Sequence, residues 1–175
     1  MTDEFRLRCR EEELPEYARR YPYHQSDVLL LDLQERVRKQ GCLTLEQLEK
    51  AAWWKSPRKA AAVRRNAEEF VREATGIALS SHNERVRIEV LTLLDGVAWP
   101  TASVILHFFH EEQYPIIDMR ALWSVSMEEP SRYTFNLWWA YVNYCRMLAQ
   151  RTGLDMHTLD RALWQYSKEN QRSGI

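Results

Sequence analysis

Punctuation constrains this chain more than any single motif does. Only five glycines and six prolines interrupt its 175 residues. Between them apolar residues recur three and four apart, the spacing of a helix, rather than alternating as in a strand. The pattern predicts an all-α fold, with no strand, internal repeat or low-complexity segment. The segment DVLLLDLQERVRKQG predicts a helix capped at Asp27 and stopped at Gly41. TLEQLEKAAWW predicts one that starts at Thr44, has Gln47 in the capping-box position and ends before Ser56-Pro57. A longer helix is expected from about Arg58 to Thr75, closed by Gly76, and NERVRIEVLTLL begins another at Asn83. A hairpin follows at Asp95 to Ala98, then a helix from about Pro100 to Phe109 and a short one at Asp118. TFNLWWAYVNYCRMLAQRTG and DMHTLDRALWQYSKENQ supply the last two. The expectation is a compact single-domain bundle spanning residues 1–175, with about eight to ten helices joined by short connections.

A chain of this length buries about two-thirds of its unfolded surface, so it needs no staples. Cys9, Cys42 and Cys145 are odd in number and far apart, which excludes the close pairing of a zinc or iron-sulfur site. They read as reduced thiols of a cytoplasmic protein. The opening MTDEFRLRCREEE lacks the apolar core of a signal peptide. No apolar run approaches the roughly 20 residues that span a bilayer. The expectation is a monomer without a membrane partner.

A formal net charge of −1 argues against a protein held to nucleic acid by its overall field, because such affinity comes from Lys and Arg neutralising phosphates. Any nucleic-acid face is therefore local. One basic run is available, KSPRKAAAVRRNAEEFVR, with Lys55 and Arg58 at its start; a solvated helix surface is the competing reading. The pairs Trp53-Trp54 and Trp138-Trp139 cannot each point one way on a helix, since neighbours lie about 100° apart. One of each pair is expected in the core. Trp54, next to Lys55 and Arg58, is the candidate for a groove in which an indole stacks on a base.

His107 and His110 share a helix face, but two ligands do not complete a metal site. They read as structural or solvent-facing. No metal and no cofactor is expected, and the chain has no serine-hydrolase elbow, phosphate-binding glycine loop or dinucleotide fingerprint.

The stretch LDGVAWPTASVILHFFHEEQYPIIDMRALW, residues 94 to 123, carries the most information. A helix ending at Leu94, the turn DGVA and a helix entered through Pro100-Thr101-Ala102 make a helix-hairpin-helix unit. Gly96 permits the tight turn, and Pro100 suits a first helical turn because its missing N–H has no partner there anyway. The amides of Gly96, Val97 and Ala98, with the positive end of the next helix, are expected to hold a phosphate. Asp118 behind Pro115-Ile116-Ile117 reads first as an N-cap.

These residues resemble the helix-hairpin-helix base-excision DNA glycosylases, the superfamily of endonuclease III and the adenine and alkylpurine glycosylases. Leu94, Gly96, Val97, Thr101 and Ala102 match the hairpin of that family, and PIIDMRALW matches the segment that ends in its catalytic aspartate, at Asp118. The motif core covers about residues 83–125, most closely 85 to 125. The basic run adds Lys55 and Arg58 as candidate DNA-binding residues. The resemblance implies a hydrolase that binds duplex DNA through its hairpin, with Gly96, Val97, Ala98, Trp99 and Thr101 as the contacts. It flips a damaged or modified base into an aromatic pocket, with Tyr114, Trp54, Tyr23 and Trp99 as candidates, and cleaves the N-glycosidic bond with Asp118. Ala98 replaces the family's second hairpin glycine, which requires a negative φ there. Pro100 stands where bifunctional members carry a nucleophilic lysine, so the implied activity is monofunctional. The four-cysteine cluster pattern is absent. Two other classes stay open: a nucleic-acid-binding protein without turnover, and an all-helical protein-interaction domain.

Overall fold

The computed structural model describes residues 5–171, and among these every regular element is helical. In chain order they are α1 (Leu14–Arg20), α2 (Gln25–Gln40), α3 (Leu45–Lys55), α4 (Pro57–Ala60), α5 (Glu68–Ser80), α6 (Glu84–Glu89), α7 (Trp99–Phe109), α8 (Met119–Ser124), α9 (Phe135–Thr152) and α10 (Met156–Asn170). Three 3-10 turns, Glu11–Glu13, Ala61–Arg65 and Val90–Leu93, extend or precede them. No helix among the described residues is long and apolar enough to cross a membrane.

The chain divides into two compact units, one formed by the segments up to Pro22 and from Pro115 onward, the other by Tyr23–Tyr114. The inner unit is built around α7. Every residue from Thr101 to Phe109 is buried, and α2, α3, α5 and α6 pack against it. Burial of each large apolar side chain there, such as Ile105 or Phe109, contributes about 1.5–3 kcal/mol. The unit that carries both chain ends is built around α10, which packs on α1, α8 and α9 through Met156, Leu159, Ala162 and Leu163.

Local chemistry explains where the helices begin. Thr44 accepts the Gln47 amide at 3.2 Å and Gln47 returns the bond to Thr44 at 2.8 Å, the reciprocal box its sequence predicts. Asn83, Thr134 and Asp155 cap α6, α9 and α10. Asp27 differs from expectation: α2 is capped earlier, at His24, and Asp27 sits inside its first turn, accepting the His24 amide at 2.7 Å.

The larger correction concerns the basic run. A single helix from Arg58 to Thr75 does not form; the chain is extended at Asn66 and Ala67, and α5 continues past Gly76 to Ser80. The break has a cause outside the run. The buried Asn66 side chain donates to the carbonyls of Val63 (2.8 Å) and Asp95 (3.0 Å) and accepts the Asp95 amide (2.8 Å). Three hydrogen bonds from one buried amide outweigh the propensity of a short helical stretch.

Candidate functional site

The hairpin lies in the inner unit, between the 3-10 turn Val90–Leu93 and α7. The Val97 amide donates to Leu94 at 3.1 Å, closing a turn around Asp95 and Gly96. Gly96 has φ +79°, and a Cβ there would come within 2.9 Å of both the Val63 amide nitrogen and its side chain. Glycine is thus required by conformation and by space. Ala98 has φ −98° and is extended, so the backbone at this position does not call for glycine.

The phosphate-anchor expectation changes in two respects. Val97 spends its amide inside the turn and buries its side chain, so it has no N–H for a ligand. Thr101 is buried at the start of α7. Among the described residues, no backbone acceptor takes the Gly96 or Ala98 amide. No side chain caps α7, and its positive end stays uncompensated by a local carboxylate cap.

The basic run reaches this turn directly. Arg65 pairs with Asp95 at 3.3 Å, tying the segment Ala61–Arg65 to the hairpin alongside the Asn66 bonds. Arg64 is engaged by Glu49 and Arg72 by Glu68. Arg58 is exposed, and Lys55 is half-buried at the end of α3. Asp95 brings a carboxylate to the hairpin itself, and Arg65 neutralises it.

The aromatic candidates separate clearly. Tyr114 is fully buried; its hydroxyl accepts from the buried Arg87 guanidinium and donates to Glu84 at 2.8 Å. Burial, then Glu84, pushes its phenol up to about 12. In this structure Tyr114 therefore offers no face to a base. Trp54 is half-buried, bonds Asp27 through its indole N–H at 3.0 Å and packs edge-on against Phe108. Its neighbour Trp53 is the exposed member of the pair, at 54 %. Trp99 is half-buried, and Tyr23 is exposed ahead of α2. Trp138 is fully buried and Trp139 half-buried, as neighbouring helical positions require.

Both histidines of α7 and its end are buried, not solvent-facing. His107 Nδ1 lies 2.6 Å from the Tyr114 carbonyl, and His110 Nδ1 accepts the Glu112 amide at 2.9 Å. Burial, then Arg87, lowers the His110 pKa. No group of three or more His, Cys, Asp or Glu among the described residues could hold a metal ion. The three thiols are free, Cys145 buried and the others half-buried.

Asp118 lies in the other unit. It is half-buried and extended at φ −153°, and its Oδ1 accepts the Ala121 amide at 2.9 Å as the N-cap of α8. The preceding Pro115, Ile116 and Ile117 are buried without forming a strand. Their backbone is instead held from two helices: Ile116 donates to Asp160 Oδ1 of α10 at 2.9 Å and accepts from the Tyr141 hydroxyl of α9 at 3.3 Å. Sequence reasoning missed this clamp. Its signal is Asp160 among Met156, Leu159 and Leu163, an acid on a face of apolar spacing. The Tyr133 phenol was missed as well; burial, then Glu129 and Asp118, pushes it up to about 12.

The arrangement supplies an amide-bearing turn with basic side chains in one unit, and a carboxylate held by a helix start in the other. No protein-family model, no curated protein and no solved structure matches the chain.

Proposed function

We propose that the protein is a DNA-binding N-glycosylase of the monofunctional kind. The observation that carries the reading is the hairpin: Gly96 is held left-handed against Val63, followed by an uncapped helix start and, further along, by an aspartate fixed at the first turn of α8. A turn of that construction fits a phosphate without needing a strongly basic chain, which agrees with the net charge of −1. Lys55 and Arg58 add local positive charge.

In this reading Gly96 and Ala98 donate to a backbone phosphate, and the target base is turned out of the duplex. The Asp118 carboxylate, oriented by the Ala121 amide, faces positive charge that develops at the sugar C1′ as the C1′–N bond lengthens. A water oxygen bonds to C1′, its proton passes to the carboxylate, and the base departs with the bonding pair and takes up a proton. Pro100 carries no amine, so in this reading water is the nucleophile.

Release of free base from duplexes carrying a panel of damaged and modified bases tests this directly, with Asp118→Asn as the control. DNA binding without release from any duplex supports a binding protein instead. Absence of salt-dependent DNA binding supports a protein-interaction domain.

A further inference from the structure

One face of α10 gathers positive charge around an indole. Arg161, Trp164 and Lys168 are spaced three and four residues apart, so their side chains leave the helix on the same side. Arg120 reaches the same ring from α8: its guanidinium lies 5.4 Å, and the Lys168 ammonium 4.9 Å, from the Trp164 ring centre. Tyr21, at the end of α1, meets the ring edge-on at 5.3 Å. These contacts make one connected cluster within the unit that carries both chain ends. Lys168 is exposed, and Arg120, Arg161 and Trp164 are half-buried.

Arg120 and Lys168 keep their charge. Among the described residues neither makes an ion pair with a carboxylate, unlike Arg19 and Arg20, which hold Glu16 and Glu169, or Arg151, which holds Glu11. The acids next to the cluster in sequence, Asp160 and Asp118, each turn an oxygen to a backbone amide, of Ile116 and Ala121. A carboxylate partner cancels a cation, whereas an indole holds it in place and leaves its charge intact. A cation held this way loses less freedom when it meets an anion. Burial lowers the Arg161 pKa by desolvating its charged form, a cost that a bound anion offsets.

The chemistry of the partner follows from these groups. Guanidinium and ammonium together suit phosphate oxygens. Because Arg120 and Lys168 share one ring, their charges are at most about 10 Å apart, a span that successive phosphates of one strand, ~3.4 Å apart along the axis, can match. Both cations lie over the indole, so the cluster turns charge rather than a ring face outward. Such a contact engages the backbone and not the bases. Duplex DNA is the polyanion that the proposed function supplies, and in that choice the inference rests on that reading.

We propose that the face formed by Arg120, Arg161, Trp164 and Lys168 binds the phosphodiester backbone of duplex DNA, as a site additional to the hairpin. Fluorescence anisotropy of the full chain with undamaged labelled duplexes, over a salt series, tests it. Arg120→Gln and Lys168→Gln are each expected to weaken binding by about threefold or more, and to lower the slope of log affinity against log salt by about one. The loss should be the same for duplexes of different sequence. Lys39→Gln removes an equal charge that Glu35 already offsets and should leave affinity within about twofold. Circular dichroism and thermal melting establish that each variant is folded; Lys168 is exposed, so its variant remains informative if Arg120→Gln does not fold. Duplex binding indifferent to both substitutions overturns the proposal and leaves the hairpin reading standing. Binding weakened by both, in a chain that releases base from no duplex, supports the proposal and overturns the glycosylase reading. A wild-type chain that binds no duplex at low salt, or binds anionic phospholipid vesicles or polyglutamate as tightly as the duplex, overturns the proposal.

Discussion

Gly96 and Val63 meet backbone to backbone: a Cβ on Gly96 would lie 2.9 Å from the Val63 nitrogen and 3.2 Å from the Ala62 carbonyl carbon. This contact makes the hairpin a packed part of its unit rather than a free loop. It also joins the turn to the basic segment that precedes Asn66. Gly96→Ala carries two costs, a left-handed φ for an L-residue and a clash with rigid backbone, together about 2–4 kcal/mol. Urea unfolding should show that loss, whereas Ala98→Gly, at an ordinary φ, should change stability by about 1 kcal/mol or less.

Asn66 is the second fastening of the hairpin. Asn66→Ala removes its side-chain bonds to Val63 and Asp95 and takes the protein partner from the part-buried Asp95 amide and carbonyl, at a cost of about 1–3 kcal/mol. Hydrogen exchange should report the loss locally, with the Asp95 amide losing protection before those of α7 do.

Asp95 and Arg65 make the hairpin's charge adjustable. In the proposed DNA complex the Asp95 carboxylate repels phosphate and Arg65 offsets it. Asp95→Asn should tighten duplex binding by a few-fold and Arg65→Ala should weaken it. Arg58→Ala should reduce the slope of log affinity against log salt by about one. Fluorescence anisotropy over a salt series reads all three; an Asp95→Asn variant that binds no better would put the phosphate elsewhere.

Asp118 joins a cap to a proposed reaction. Asp118→Ala removes the bond to Ala121 and should cost about 0.5–2 kcal/mol. Asp118→Asn keeps an acceptor oxygen and should melt close to the parent, while base release falls by orders of magnitude. The parent's product should be an intact abasic strand, cut only by alkali or heat. Borohydride should trap no covalent adduct, because in the proposed reaction Pro100 supplies no amine to attack the sugar. Base release by Asp118→Asn at the parental rate would reduce Asp118 to a helix cap.

Burial lowers the pKa of His110 below its ordinary 6.5, and the adjacent Arg87 adds to this against Glu111 and Glu112. Unfolding therefore takes up a proton between the lowered value and 6.5. Stability is fully present above about pH 6.5 and falls as pH drops through the folded pKa. Urea midpoints should decline from pH 7 to pH 5.5, and His110→Gln should flatten that decline.

The helical class, most helix starts and the cap at Asp118 were legible in the chain itself, because they rest on interactions between residues three or four apart. Thr44 with Gln47, Asn83 with Val86, and Asp118 with Ala121 need nothing beyond their own turn. The glycine at position 96 was legible too, since a tight turn demands its φ. Longer-range partners decided the rest. Asn66 breaks a helical run because Asp95 lies beside it, Tyr114 is lost as an open ring because Arg87 and Glu84 hold it in the core, and Asp160 reaches Ile116 across 44 positions of chain. Val97 keeps its amide for Leu94. Local spacing determines which backbone groups a turn can satisfy by itself. Only tertiary packing determines which side chains are left to meet a ligand, because a buried polar group takes the partner that folding brings to it.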